Sequence, residues 1–193
     1  DEGALTLVQF DAARHKLLVK AGQVEDDTES SSVSQVKHRK KIGAYTIMGI
    51  IGKGGMGNVF RAKHQNETIA RRQGGDVALK IMHPQYAESI PFRERFHREA
   101  TLGLKLDHEG IVRVHDLIQD GNELALVMEL VEGVPLSEKI GSQTGPIPFD
   151  RAHPLFDKIL DAVGYAHSMN VIHRDIKPEN IMVDSNDNIK VLD

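Results

Sequence analysis

Four glycines, Gly52, Gly54, Gly55 and Gly57, crowd a short stretch with apolar, β-branched runs on both sides, "YTIMGII" before and "NVFRAKH" after. A segment so bare at its centre and so β-prone at its flanks reads as strand, glycine turn, strand. Without Cβ atoms in the way, the N–H groups of such a turn can approach an anion closely. The spacing G-x-G-x-x-G also occurs in dinucleotide-binding folds, but there a helix opens straight after the glycines, and here the chain continues as strand. No Gly-Lys-Ser/Thr closes the motif, so it is not a Walker A loop. A glycine-rich hairpin lying over phosphates remains.

The next strand, "DVALKIM", carries Lys80. A lone lysine on a strand is ordinarily a solvated cation, but beside a phosphate-cradling turn it becomes a candidate counter-charge. Its flexible stem then needs a carboxylate to hold it. Phe92, Phe96 and Ala100 recur at four-residue spacing and predict a helix over 91–106. Glu99, at the edge of that apolar face, is the candidate carboxylate, with Glu94 the competitor. "IVRVHDLIQDGNELALVMEL" reads as two strands joined at Asp120-Gly121. Phe156, Ile159, Leu160, Val163 and His167 mark one face of a second helix over about 154–169, beginning at Pro154, since proline suits a first helical turn. Then "VIHRDIKPENIMV", residues 171–183, packs a histidine, an asparagine, two cations and two acids between apolar runs.

Composition excludes several classes of function. A net charge of −4 gives no general pull toward nucleic acid, no apolar run approaches the ~20 residues of a membrane span, and the absence of cysteine rules out disulfides and thiolate metal sites. A cysteine-free chain fits a reducing compartment, and a cytoplasmic location is expected. Residues 1–20 read as the tail of an upstream element with a possible hairpin. Residues 21–44 read as a polar linker that includes the solvated basic run "KHRKK" at 37–41.

Taken together, three motifs resemble the eukaryotic-type serine/threonine protein kinase family in its bacterial-like form. His173-Arg174-Asp175-Ile176-Lys177-Pro178-Glu179-Asn180 matches its catalytic loop with Ile for Leu, the glycine turn matches G-x-G-x-x-G-x-V, and Val77-Ala78-Leu79-Lys80 matches V-A-I-K with one aliphatic swap. The resemblance covers about residues 45–193. It implies an α+β, two-lobe protein-kinase-like fold: an N-lobe at 45–127 with a five-stranded antiparallel sheet plus one helix, a hinge at 128–134, and an incomplete C-lobe at 135–193.

It also implies roles. Asp175 would receive or orient the proton of the attacking hydroxyl, Lys177 would steady the transferring phosphoryl group, and Lys80 would hold the α- and β-phosphates of ATP while paired with Glu99. Asn180 and Asp193, the latter in the place of the Asp of D-F-G, would ligate Mg²⁺. Ile51, Gly52, Lys53, Gly54, Gly55, Met56, Gly57, Asn58 and Val59 would cover the nucleotide. Ala78, Val59 and Met182 would sandwich the adenine, with Met128 as gatekeeper and the hinge backbone from Glu129 to Val131 at its edge. The expected substrate is a protein Ser or Thr. The alternatives are a pseudokinase or nucleotide-binding scaffold, which predicts loss of Lys80, Asp175, Asn180 or Asp193, and a small-molecule kinase, which lacks the Arg174 and Lys177 context.

Three departures from the family pattern stand out. The stretch 62–76 is long for a connection between neighbouring strands. Gly103, four residues after Glu99, replaces the usual bulky residue, so Gly103→Leu is expected to tighten the helix and raise activity. The sequence stops at Asp193, and the expectation is a piece of a longer protein that does not phosphorylate protein by itself.

Overall fold

The computed structural model describes residues 41–141 and 147–192; the readings placed on 1–40 and on Asp193 lie outside them. The first strands form one antiparallel sheet: β1 (Lys41–Ile42), β2 (Tyr45–Lys53), β3 (Gly57–His64), β4 (Asp76–Met82), β5 (Val114–Asp120) and β6 (Glu123–Glu129), in the order β1-β2-β3-β4-β6-β5. The expected five strands are joined by a sixth, two residues long. It forms because the sheet curls: the Gly43 N–H reaches the Asp120 carboxylate at 3.0 Å, and Ile42 is fully buried in the same cluster as Tyr45, Phe60, Leu79 and Val127. The β5–β6 hairpin turns at Gly121, whose φ of +61° is cheap only for glycine.

The long connection after β3 is a helix rather than a plain loop. α1 (Glu67–Arg72) starts because the Asn66 side chain accepts from the N–H groups of Thr68 and Ile69 at 2.9 and 3.3 Å, satisfying donors a helix start leaves open. Ala70 is buried, and Gln73 Nε2 donates to the Tyr45 hydroxyl at 2.7 Å, which pins the insert to β2. After β4 come the single turn α2 (Pro84–Ala87) and α3 (Ile90–Gly103), which buries Phe96 and Ala100 against the opposite face of the sheet, with Ala78, Leu126 and Met128.

Helix α3 ends at Gly103, three residues before the sequence pattern predicted. A Cβ on Gly103 would lie 2.6 Å from Cγ2 of Val114, a contact real side chains do not make. The glycine lets the end of α3 close on β5, so the expectation for Gly103→Leu reverses: the added side chain pushes the helix away.

Beyond the hinge come β7 (Val134–Pro135), α4 (Leu136–Gly141), α5 (Phe149–Ser168), a 3₁₀ turn at Pro178–Asn180, and the strands β8 (Ile181–Val183) and β9 (Ile189–Val191). Helix α5 starts five residues earlier than predicted. The Pro148 carbonyl accepts from Arg151 and Ala152, building a turn ahead of Pro154, which then loses only one early helical bond. Its buried stripe also differs. Leu155, Ile159 and Ala162 pack on β8 and β9 and Ala166 is also buried, whereas Phe156 and Leu160 are 62% and 66% exposed. The alanines decide the packing: a Cβ on Gly110 would sit only 2.9 Å from the Cβ of Ala162, so small residues on both sides bring the helix in.

Asp187, in the turn between β8 and β9, fastens this lobe. Its carboxylate accepts from Lys139 Nζ on α4 at 2.5 Å and from Nε and Nη2 of Arg151 on α5 at 2.7 and 2.9 Å. Those bonds, Arg151 first and then Lys139, hold its pKa well below the usual carboxylate range. Two predictions follow from this packing. Asp187→Asn keeps the left-handed φ of +57° that asparagine tolerates but removes the charge, and should cost about 1 kcal/mol in urea unfolding at neutral pH. A depressed carboxylate stabilises above its unfolded pKa and loses that effect as pH falls through its folded one, so the gap between wild type and variant should close from about pH 5 downward. Gly103→Leu should destabilise by about 1–3 kcal/mol in the same measurement.

Candidate active site

The glycine hairpin lies on β4 because of what its glycines omit. A Cβ on Gly57 would stand 2.2 Å from the Ile81 carbonyl oxygen, so only glycine permits this approach, and the Gly54 N–H closes the turn onto the Gly57 carbonyl at 3.0 Å. Ile51, Lys53, Gly54 and Gly55 are exposed on the hairpin, Gly52 and Met56 half-buried, and Asn58 is buried. Val59 pairs directly with Lys80 and Lys80 with Leu126, so the lysine side chain emerges on the same sheet face as Val59 and Ala78. Lys80 is half-buried. Glu99 is exposed on α3, and its Oε1 accepts from Arg95 Nε at 2.9 Å, a bond within the helix.

Val59, Ala78, Met128, Val131 and Leu192 share one apolar cluster. The sheet leaves Met128 for the hinge at Glu129, and Gly133 turns the chain against Val183: a Cβ there would be 2.5 Å from the Val183 carbonyl oxygen. Met182, half-buried on β8, pairs with Pro135 just past that turn. Val59 and Ala78 thus lie on one face of the sheet beside the hinge, and Met182 lies on the strand that the hinge turn meets.

The catalytic-loop residues converge more tightly. Lys177 Nζ and Asn180 Nδ2 both donate to Asp175 Oδ2, at 2.7 and 3.1 Å, and Asn180 Nδ2 also donates to the Asp175 carbonyl at 2.9 Å. The Lys177 bond is the largest cause of a lowered Asp175 pKa; Asn180 adds to it and partial burial opposes it. Asp175 is therefore ionised at neutral pH. His173 holds the loop from behind, its Nε2 donating to the Leu192 carbonyl at 2.7 Å while Nδ1 accepts the Asp175 N–H at 3.3 Å. These two bonds require the tautomer with hydrogen on Nε2. Between them Arg174 takes a φ of +65°, a strained left-handed conformation for a side-chain-bearing residue.

With its nitrogen turned to Asp175, the Asn180 amide has its oxygen available for a hard cation. Among the described residues no three His, Cys, Asp or Glu side chains cluster to cage a metal.

A cavity of about 800 Å³ also borders the hinge at Glu129–Glu132, and no motif in the sequence points to it. Each of its three lysines and arginines is engaged by the protein: Arg61 by Asp76 at 2.6 Å, Lys190 by Glu129 at 2.8 Å, and Lys158 by the Asp187 carbonyl at 2.7 Å. No helix among the described residues is long and apolar enough to cross a membrane.

Comparison with known proteins places this geometry. The protein kinase domain model matches residues 45–193. The chain is 41% identical over 151 residues to the serine/threonine-protein kinase PrkC of Bacillus subtilis, covering 78% of this chain and 22% of that protein. It is 35% identical to the serine/threonine-protein kinase PknD of Mycobacterium tuberculosis, covering 82% and 22%. The crystal structure of the Mycobacterium tuberculosis PknI kinase domain superposes with a TM-score of 0.67 at 28% identity, covering 79% of this chain and 60% of that one. The chain thus spans about a fifth of the length of these curated relatives. The chain belongs to the protein kinase family, among relatives that include bacterial serine/threonine kinases.

Proposed function

We propose that these residues form the nucleotide-binding and catalytic centre of an ATP-dependent serine/threonine protein kinase. The observation that carries this reading is the convergence of Lys177 and Asn180 on one oxygen of an ionised Asp175. Both described side-chain bonds fall on Oδ2, so Oδ1 is the oxygen that would meet an acceptor hydroxyl. A carboxylate of lowered pKa is a weak base, and its part is to orient the hydroxyl and take its proton late, as transfer proceeds. Lys177, beside it, would then offset charge building on the γ-phosphoryl oxygens as the bond to the β-phosphate breaks and that to the hydroxyl forms.

Lys80 and the glycine hairpin would hold the α- and β-phosphates, and Ala78 with Met182 the adenine. Asn180, with Asp193, would hold Mg²⁺, which neutralises phosphate charge when bound. The relatives named serine/threonine kinases, and the lysine two positions after Asp175, support a protein Ser or Thr as acceptor. A nucleotide-binding scaffold is the second reading, but the retained Lys80, Asp175, Lys177 and Asn180 speak for chemistry.

In the intact protein, Asp175→Asn should lower phosphate transfer from ATP to a Ser/Thr peptide about a hundredfold or more while ATP affinity, measured by calorimetry, stays within about twofold. Lys80→Met should instead weaken ATP binding itself. Undiminished transfer by the Asp175 variant would exclude the catalytic assignment and favour the scaffold.

A further inference from the structure

The glycine hairpin has almost no side chains with which to hold its own position, so backbone bonds must do so. Two of its carbonyls are taken by one residue, His83, directly after β4. The His83 N–H donates to the Met56 carbonyl at 3.0 Å, and its Nε2 approaches the Gly54 carbonyl at 3.2 Å. A carbonyl only accepts, so Nε2 carries the hydrogen, which the neutral ring suffices to provide.

The trans peptide sets the consequence. Each C=O points opposite to the N–H that follows it. Holding the Gly54 and Met56 carbonyls on the His83 side therefore turns the Gly55 and Gly57 N–H groups away from it, toward the face left open for an anion. The ring is itself backed up. Its centroid lies 6.4 Å from that of Tyr86, and Tyr86 packs at 4.8 Å on Phe92 of α3, the helix that carries Glu99. The imidazole thus links the hairpin to that helix.

We propose that His83 is a positioning residue for the phosphates of the nucleotide: it presets the amides of the glycine hairpin and leaves adenine recognition to the hinge. This rests on the nucleotide-site reading above. A preset donor lowers the cost of ordering the loop when the ligand arrives. Removing the side-chain bond while keeping the ring, with His83→Phe, should thus weaken triphosphate binding and spare the nucleoside.

The test is calorimetric titration of the intact protein with Mg·ATP and, separately, with adenosine. His83→Phe should raise the Kd for ATP about three- to tenfold, the range for one net hydrogen bond, and leave that for adenosine unchanged. His83→Gln, whose amide nitrogen can reach the same carbonyl, should stay within about twofold of wild type for ATP. His83→Leu serves where phenylalanine is not accommodated. Equal ATP affinity in wild type and His83→Phe overturns the proposal, as does equal loss for ATP and adenosine, or a glutamine variant as weak as the phenylalanine one. Wild type that fails to bind ATP overturns the nucleotide reading as well, whereas wild type that binds with an indifferent His83→Phe overturns this inference alone.

Discussion

Two backbone hydrogen bonds hold the loop from His173 to Asn180 where it can face the sheet. The Val112 N–H donates to the Val191 carbonyl at 2.9 Å, and the Val191 N–H to the Gly110 carbonyl at 2.8 Å. They join the last strand to the segment that leads into β5, and Lys190 adds its bond to Glu129 at the end of β6. Just after β9, Leu192 gives its N–H to the Asn180 carbonyl and takes the His173 ring on its own carbonyl. The loop from His173 to Asn180 therefore hangs on the residue after β9, and β9 hangs on the lobe that carries Lys80. Asp175 tolerates this setting because Lys177 and Asn180 partner it, whereas Arg174 and Glu179 are exposed; an unpartnered Asp175 between apolar strands would be costly.

Much of this was legible beforehand, for a physical reason. Residues fixed by close contacts of their own cannot be exchanged for others of similar hydropathy: Gly57 is glycine because Ile81 leaves no room, and Asp175, Lys177 and Asn180 answer one another within six positions of sequence. The β5–β6 hairpin was equally open to reading: the turn expected at Asp120-Gly121 falls one position on, at Gly121 and Asn122, because Asp120 pairs with Glu123.

What escaped the sequence depended on long-range packing. The face of α5 that packs inward was misjudged because the helix is apolar over more than one side, and Leu155, Ile159 and the small Ala162 take the surface of β8 and β9 in place of Phe156 and Leu160. Gly103 looked like a defect in a helix until Val114 proved to occupy the space. His83 carried no signal at all, since its role lies in two carbonyls far behind it in the chain. The six residues of α1 were hidden in a stretch with no periodicity, where a single asparagine starts the helix.

That insert has a practical side. Lys63 and Asp76 stand opposite each other across β3 and β4, and Arg61 reaches back to the Asp76 carboxylate at 2.6 Å, so the excursion between them returns to the point it left. Its two ends are already stapled by the ladder, and the chain within contributes a capped helix and a pair of glycines, Gly74 and Gly75, with positive φ. Length added there is closed off from the strand register on both sides. The glycine pair is thus a natural doorway into the molecule for the engineer: an epitope, a fluorophore or a whole reporter domain could be threaded through it with the ladder beneath left in step.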